Sequence, residues 1–265
     1  MKRLITIVVM MFLLWANAAY AGSTGSEKLK KSPSSSANEC FEGFSRAMFS
    51  FNQAMDAVVF EPIAKGYRVL PMVIRHGTSN VMNNISNLLT IPNNVLQGEF
   101  GKAGNTVARF AINTTAGVLG FFDPAEKMGF SDRGKEDYGQ TLGVWGTGSG
   151  CYFVLPILGP TTARDFVGTV ANIWGDPWYS MTVSNHPMMA GGLFNESDYY
   201  IEKGTTAVDF RAKNIESFDN IEKNSIDLYA SIKSFYLQNR NKKISNSDTI
   251  VETQDESDWE EIDTN

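Results

Sequence analysis

The glycine-rich segment 146–150 has the spacing that comes closest to a motif for chemistry. A phosphate-binding loop would end in Lys followed by Ser or Thr, whereas Cys151 and Tyr152 follow here. A dinucleotide fingerprint would have its third glycine at position 151, and a nucleophile elbow around Ser149 would need glycine in place of Thr147. The segment therefore predicts neither nucleotide binding nor a serine nucleophile.

Histidine and cysteine are scarce in the chain, which leaves little material for a metal site or a covalent catalyst. Neither His76 nor His186 stands at a metal-ligand spacing from the other or from Cys40 or Cys151. We therefore predict no catalytic residue, no metal and no cofactor, and we do not expect an enzyme. A net charge of -6, without a basic cluster, also argues against nucleic-acid binding.

The two ends of the chain differ in composition from the rest. Lys2 and Arg3 precede an apolar run, and Ala19-Tyr20-Ala21 has the small-x-small pattern of a signal-peptidase site, so residues 1–21 are predicted to be a cleavable export signal. Residues 22–38, rich in Ser, Gly and Lys, predict a flexible tether. Residues 241–265 predict a disordered acidic tail. Residues 39–240 are then one folded domain.

Apolar residues at intervals of three and four predict that this domain is mainly helical. The first predicted helix has one apolar face, formed by Phe41, Phe44, Met48, Phe51 and Met55. Pro62 and Gly66 interrupt the pattern, and a second helix is predicted to open at Pro71 and to break at Pro92. A third is predicted over residues 95–116, with Phe100, Ala103, Val107, Phe110 and Thr114 on one side.

Two more helices are predicted toward the carboxyl end. Thr162, followed three residues later by Asp165, has the spacing of a capping box and predicts a helix that continues to Ile173. The last long helix is predicted from Ile215 to Phe235, with a break in its phase at Asn224-Ser225. No stretch shows a sustained alternation of period two, so strands are not predicted from periodicity.

Segment 142–160 does not fit the pattern of a water-soluble loop, because it is apolar, uncharged and rich in glycine up to position 160. As a helix, residues 151–160 would be about 15 Å long, half of a bilayer core, and could enter one leaflet and return. The alternative is a buried hairpin of the protein core. Periodicity does not decide between the two.

Several linked motifs, in one order over residues 41–240, resemble the VacJ/MlaA family. The matching motifs include Phe41-Glu42-Gly43-Phe44, Phe51-Asn52, Gly66-Tyr67-Arg68, Asn113-Thr114, Tyr138-Gly139-Gln140-Thr141-Leu142-Gly143, Leu155-Pro156-Ile157-Leu158-Gly159-Pro160 and Arg164-Asp165. The resemblance implies an all-α, single-domain, ring-like protein with a glycine-rich apolar hairpin, monotopic in the outer membrane of a Gram-negative cell.

The resemblance also implies a function and a set of partners. The implied function is a channel that removes mislocalised phospholipids from the outer leaflet for retrograde transport to the inner membrane. The implied partners are phospholipids, the outer-membrane bilayer, a periplasmic lipid carrier of the Mla type and trimeric porins. Two alternatives stay open, namely a soluble periplasmic lipid carrier and a structural adaptor for porins.

Within this resemblance, the uncharged glycine-rich segment and the turn before it are expected to line the lipid path, because they offer a phosphate room without buried charge. The residues assigned to the path are Tyr138, Gln140, Thr141, Gly143, Trp145, Gly146, Gly148, Ser149 and Gly150. Trp145 could instead pack in the core. Phe51 and Asn52 on the first helix are expected to control whether the channel is open or closed.

The chain departs from the family at two points. Family members usually begin with a lipidated cysteine, whereas this chain is expected to be cut after Ala21, to lack a lipid anchor and to be held at the periplasmic face of the outer membrane by apolar surface and partners. Cys40 and Cys151 stand where the family commonly has proline. Because both occur together in an exported protein, we expect them to form a disulfide.

Overall fold

A computed structural model describes residues 39–182 and 195–245, all of which belong to one unit, Ser35–Asn265. The predicted export signal, the tether, His186 and residues 246–265 of the predicted tail lie outside the described residues. The described part of the chain is mostly helical, with one short antiparallel strand pair, as the sequence predicts for the fold class.

The elements follow one another in this order. The first half contains α1 Glu42–Met55, a π-helical segment Asp56–Phe60, α2 Glu61–Arg68, α3 Met72–Leu96, α4 Phe100–Thr115, α5 Pro124–Lys127 and α6 Tyr138–Val144. The second half contains β1 Tyr152–Leu155, β2 Gly159–Thr162, α7 Ala163–Gly175, α8 Pro177–Thr182, α9 Glu196–Lys213, α10 Ile215–Asn224 and α11 Leu228–Ile244.

The predicted interruption at Pro62 and Gly66 is wrong, because α1, the π-helical segment and α2 follow one another without a gap. Pro62 lies in the first turn of α2, where a missing backbone N–H is tolerated. The change of helical register at the π-helical segment thus replaces the break that the proline predicted.

The predicted break at Pro92 is also wrong. Helix α3 starts after Pro71 as predicted but continues through Pro92 to Leu96. On either side of the proline, the Thr90 hydroxyl donates to the Ser86 carbonyl at 3.1 Å and the Asn93 amide donates to the Leu89 carbonyl at 2.8 Å. The chain turns instead at Gly98, where φ is +79°, and α4 begins at Phe100 rather than at position 95.

Helices α3 and α4 pack against each other with polar residues at their contact. The buried residues of these two helices are Gly77, Ser79, Asn84, Asn87, Thr90, Asn93, Asn94, Ala103, Thr106, Arg109 and Asn113. By contrast, Phe100 and Val107 on the predicted apolar side of α4 are 70% and 48% exposed. The predicted apolar side of α4 is therefore divided, since Phe100 and Val107 are exposed, Ala103 is buried, and Phe110 and Thr114 are half-buried.

This inverted distribution holds over the whole described part of the chain. Among the described residues, 23 polar or charged residues but only ten hydrophobic ones are buried, whereas 29 large hydrophobic residues are exposed. A water-soluble domain normally shows the opposite preference. The surface of the described region therefore carries an unusually large share of apolar side chains.

Hydrogen bonds and ion pairs satisfy many of the buried polar groups. Arg109 donates to Asp123 at 2.5 Å and to the Phe130 carbonyl, and Asn113 donates to the other oxygen of Asp123 at 2.9 Å. Lys135 donates to the side chain of Asn87 at 2.7 Å. Since an unpaired polar group is costly in a dry interior, these contacts determine how the polar faces meet.

The strands β1 and β2 settle what the sequence left open for segment 151–160, because they form a hairpin rather than a helix. Tyr152 pairs with Thr162 and Leu155 pairs with Gly159. The base of the hairpin is buried and packs on Tyr229 of α11, while Ile157 and Leu158 at the tip are 63% and 69% exposed. The hairpin therefore belongs to the core at its base and to the surface at its tip.

The disulfide joins Cys40, just before α1, to Cys151, just before β1, with their Cα atoms 5.6 Å apart. Neighbouring contacts strengthen this link. Glu39 forms a parallel bridge with Tyr152, pairs with Lys233 at 2.5 Å and accepts a hydrogen bond from the Tyr229 hydroxyl. The amino-terminal end of the domain, the hairpin base and α11 thus meet at one place.

The predictions for the carboxyl half are mostly confirmed. Thr162 caps α7, since its side chain accepts from the Asp165 backbone N–H, and the chain breaks after Asn224 between α10 and α11. Helix α11 continues to Ile244, four residues into the segment assigned to the tail, and Lys242 and Lys243 in its last turn favour the helix dipole. Helix α9 was not predicted at all.

An ion cluster centred on Arg240 connects α6, α7 and α11. Arg240 donates to both oxygens of Asp137, at 2.6 and 3.0 Å, and to both oxygens of Asp165, at 2.8 and 3.1 Å. Asp165 also accepts from the Tyr236 hydroxyl at 2.6 Å. Burial raises the pKa of Asp165, but the hydrogen bonds and charge of Arg240 and the bond from Tyr236 outweigh it and lower the pKa to about 2.

The lowered pKa of Asp165 predicts a stability change in acid. The stabilisation is fully present above the ordinary pKa of 3.8 and is lost as the pH falls toward 2. It is worth about 2 kcal/mol, so the free energy of unfolding in mild detergent should fall by that amount over this range. Urea titrations of the wild type and Asp165→Asn measure it, with Glu126→Gln, at an exposed carboxylate, as the control. An unchanged slope between pH 4 and 2 in Asp165→Asn would contradict this role.

The disulfide predicts a simple labelling result. Because the chain contains two cysteines, unreduced and denatured protein should give no reaction with a maleimide, and reduced protein should take up two labels. Reduction should lower the free energy of unfolding by roughly 2–4 kcal/mol, since the bond closes a long loop. Labelling of unreduced protein would show that the bond is absent.

Candidate functional site

Asn52, near the carboxyl end of α1, binds the tip of the hairpin through both ends of its side-chain amide. Its Nδ2 donates to the Leu155 carbonyl at 2.8 Å, and its Oδ1 accepts from the Ile157 backbone N–H at 2.7 Å. One side-chain amide thus pairs with two backbone groups at the turn between β1 and β2. We call this contact the Asn52 latch. Phe51, the other residue assigned to gating, is 45% exposed beside it.

The amino-terminal group of the predicted path residues lies inside the protein. Gln140 and Thr141 are each 1% exposed. Gln140 donates to Asp137 at 2.8 Å, and Thr141 donates to Asn93 at 2.7 Å. Tyr138 and Gly143 also pack closely, since a Cβ on Gly175 would overlap the Tyr138 ring and a Cβ on Gly143 would overlap Ile244. These four residues pack α6 onto α3, α7 and α11.

The remaining predicted path residues form a surface loop between α6 and β1. Trp145, Gly146, Gly148 and Gly150 are exposed, and Ser149 is half-buried. The Trp145 indole N–H donates to the Leu96 carbonyl at 2.9 Å while 59% of the residue remains exposed. The structure therefore separates the predicted path into an internal group and an exposed loop.

A cavity of about 230 Å³ lies directly beside the Asn52 latch. It is bounded by α1, the π-helical segment, the hairpin tip, α10 and α11. Its apolar walls are formed by Phe49, Met55, Phe60, Ile157, Pro160, Phe218, Leu228 and Ile232. Its polar lining comes from Asn52, Gln53, Asp56, Arg211 and Glu222. The cavity is thus amphipathic, with more apolar than polar side chains in its wall.

Arg211 of α9 forms the buried polar part of this cavity. Its guanidinium donates to both oxygens of Asp56, at distances from 2.8 to 3.0 Å, and lies 5.0 Å over the Phe218 ring. The hydrogen bond and charge of Asp56 outweigh burial and raise the pKa of Arg211. Its Nη1 is buried and has no hydrogen-bond partner. Because an unpaired buried donor is costly, an acceptor on a ligand that reached this group would be favoured.

Sequence reasoning missed Asp56, Arg211 and Glu222. Arg211 lies in α9, where the polar residues Glu202, Asp209 and Arg211 are the buried ones and no apolar face marks the helix. The one available signal was composition, because an arginine between two apolar residues, Phe210 and Ala212, is a candidate for a buried ion pair.

Exposed apolar side chains occur on α1, at the hairpin tip and on several other elements. Examples are Phe41, Phe44, Phe51, Val73, Phe100, Leu119, Trp145, Leu158 and Trp174. No helix in the described ranges is long and apolar enough to cross a bilayer. Of the two histidines, His76 is exposed and His186 lies outside the described residues.

Three solved or curated proteins resemble the chain over most of its length. Two curated relatives, one from Escherichia coli and one from Haemophilus influenzae, are each named intermembrane phospholipid transport system lipoprotein MlaA, and each is 31% identical to this chain. The match to the Escherichia coli protein covers 74% of each chain. The match to the Haemophilus influenzae protein covers 82% of this chain and 83% of the relative. A solved chain described under "Structural basis for maintenance of bacterial outer membrane lipid asymmetry" has a TM-score of 0.63 and 26% identity, and covers 78% of this chain and 99% of its own.

Both curated relatives carry the word lipoprotein in their names, which conflicts with the expectation that this chain lacks a lipid anchor. The residues that bear on that expectation lie outside the described part of the chain, so it stays a prediction. The model of the family described as MlaA lipoprotein matches residues 37–243, which include every described helix except the last residue of α11. The polar interior, the hairpin and the latch therefore belong to a member of the MlaA lipoprotein family.

Proposed function

We propose that the protein is the phospholipid channel of an outer-membrane lipid asymmetry system, and that it removes mislocalised phospholipids from the outer leaflet for retrograde transport. The observation that carries the proposal is the inverted distribution of polarity in the described residues, with many large apolar side chains exposed and mostly polar side chains buried. Such a protein can sit in one leaflet. The names of its relatives supply the lipid class.

The polar interior supports a route for head groups. A phosphate that leaves water needs hydrogen-bonding partners along its way, and acyl chains need an apolar rim. The buried Asn and Thr side chains of α3 and α4 and the apolar exterior provide these two environments in adjacent layers. We place the exposed loop of Trp145, Gly146, Gly148, Ser149 and Gly150 at the mouth of the route, where Trp145 suits the interface.

The remaining partners belong to the same proposal. Lipid that has left the outer leaflet passes to a periplasmic carrier of the Mla type, and trimeric porins flank the protein in the membrane. The ring-like shape and the monotopic position are part of this proposal as well. The exposed apolar side chains would hold the protein in the bilayer with or without a lipid anchor.

A soluble carrier is a weaker alternative. A carrier must enclose the acyl chains of its lipid, whereas the cavity beside the latch measures about 230 Å³. This volume lies below the range of about 300–1,000 Å³ that is typical of pockets for drug-sized ligands. The exposed apolar surface would also be a liability in a soluble protein.

Fractionation of the native envelope tests the proposed function. The protein should stay with outer membranes through a carbonate wash and should be released by mild detergent with phospholipid bound. Recovery as a soluble, lipid-loaded monomer would favour the carrier. A stable porin complex without bound phospholipid, whose loss leaves the lipid asymmetry intact, would favour the structural adaptor.

We propose that the Asn52 latch holds the closed state of the route, because it fixes the exposed apolar tip of the hairpin against α1. Asn52→Ala should leave the fold intact, since water can replace the amide at the tip. An unlatched route would let phospholipid flow into the phospholipid-poor outer leaflet. Phospholipid accessible to external phospholipase should therefore rise severalfold in cells that carry this variant.

The matched control for the latch is Ser50→Ala on the same helix. It also removes a side-chain hydrogen bond to a carbonyl, but that bond lies within α1, from Ser50 to Arg46 at 3.0 Å. This variant should leave outer-leaflet phospholipid at the wild-type level. Equal levels in wild type and Asn52→Ala would argue against the gating role.

A further inference from the structure

Glu222 contributes an unpaired carboxylate to the cavity beside the latch. It is exposed and lines the cavity, and it makes no hydrogen bond or ion pair with another described residue. Other acids nearby are engaged, since Asp56 binds Arg211 and Glu61 pairs with Lys65 at 2.5 Å. An acid without a cation beside an apolar wall leaves room for a cation from outside the protein.

The charges around the cavity favour one kind of head group. Arg211 is neutralised by Asp56, and a Glu61 oxygen lies 3.8 Å from the same Nη2 of Arg211. With Glu222 added, the cavity carries net negative charge. An anionic head group would meet repulsion there, whereas a zwitterion with a terminal amine would find an acceptor.

The two charged ends of such a head group would have partners in one cavity, because Arg211 and Glu222 both line it. Phe218 lies under the Arg211 guanidinium, and Glu222 follows on α10 four residues later, so its Cβ is about 5–6 Å along the same face. Ethanolamine separates phosphate from amine by two carbons and one ester oxygen. A head group whose phosphate accepts from Arg211 and whose amine pairs with Glu222 would therefore contact both residues within this one cavity.

The rest of the cavity wall suits the part of a lipid next to the head group. Phe49, Leu228 and Ile232 line the cavity with apolar surface, and the volume of about 230 Å³ admits a head group with the first carbons of its chains rather than a whole lipid. The longer part of the chains would extend outward past the exposed hairpin tip.

We propose that this cavity is a subsite for zwitterionic phospholipids with an amine head group, in which Glu222 binds the amine and Arg211 donates to the phosphate. The inference rests on the proposed function, because it takes the ligand to be a phospholipid. It adds the head-group class to that function and a residue that determines it.

Short-chain lipids test the subsite on the full-length mature protein in mild detergent. Dihexanoyl phosphatidylethanolamine should bind at least fivefold more tightly than dihexanoyl phosphatidylglycerol in calorimetric titrations. Glycerophosphoethanolamine, which has the head group without chains, should bind more weakly than the short-chain lipid because it leaves the apolar wall uncovered. Equal binding of the two lipids by the wild type would overturn the proposal.

Glu222→Gln should remove the preference by weakening phosphatidylethanolamine binding about fivefold, and Glu222→Lys should reverse it in favour of phosphatidylglycerol. Glu126→Gln removes the same charge at an exposed position outside the cavity and should bind like the wild type. Thermal unfolding checks that all variants are folded. A preference that survives both Glu222 substitutions would place the selectivity elsewhere.

The failure of the subsite is distinguishable from failure of the proposed function. The wild-type protein could fractionate with outer membranes and carry phospholipid, yet show no head-group preference. This result would contradict the subsite but not the proposed function. Recovery of the protein without phospholipid would contradict both the subsite and the proposed function.

Discussion

The described structure depends on one constraint, which is that buried polar side chains are stable when they are hydrogen-bonded within the protein. Asn84, Asn87, Asn93 and Asn113 lie on the buried faces of α3 and α4, where hydrophobic residues would be expected in a soluble bundle. Unpaired, each would cost about 1–3 kcal/mol, so their hydrogen bonds specify how the two helices and the following loop fit together. Hydrophobic packing of the core is correspondingly small, and it is concentrated where Tyr152 and Val154 meet Tyr229. Polar contacts thus determine how the helices pack together, which is the role of apolar packing in most soluble proteins.

The hairpin shows how a local element relies on that arrangement. Two paired strands of four residues are marginal on their own. This pair is held at its base by the disulfide and by the contacts of Glu39 with Tyr229 and Lys233, and at its tip by Asn52. The base has a covalent bond in addition to partly buried polar contacts, whereas the tip is held by two hydrogen bonds, one partly buried and one exposed. Any movement of the hairpin would therefore begin at the tip, and the base would act as its fixed end.

Sequence patterns predicted the helices whose apolar residues share one face, whether that face points inward or outward. Helix α1, the cap at Thr162 and the break at Asn224-Ser225 were predicted because they depend on local chemistry. Pro62 and Pro92 led to wrong predictions, since Pro62 lies in the first turn of α2 and α3 continues through Pro92. Helix α9 was not predicted because three of its four buried residues, Glu202, Asp209 and Arg211, are charged. The candidate site could likewise be predicted only in part. Asn52 was found through a family motif, but its two partners at the hairpin tip are 103 and 105 residues away in sequence.

The latch and the cavity share residues, and this has an energetic consequence. Asn52 and Ile157 form the latch and also line the cavity, so a ligand in the cavity contacts the atoms that hold the hairpin tip. If the ligand binds the latched and unlatched forms with different affinity, it shifts the equilibrium between them by that difference, and opening changes ligand affinity by the same factor. A tenfold difference corresponds to about 1.4 kcal/mol, which is comparable to the net worth of one or two surface hydrogen bonds. A latch of two hydrogen bonds is therefore weak enough for a single lipid head group to bias, whereas the disulfide at the base is far too strong to respond.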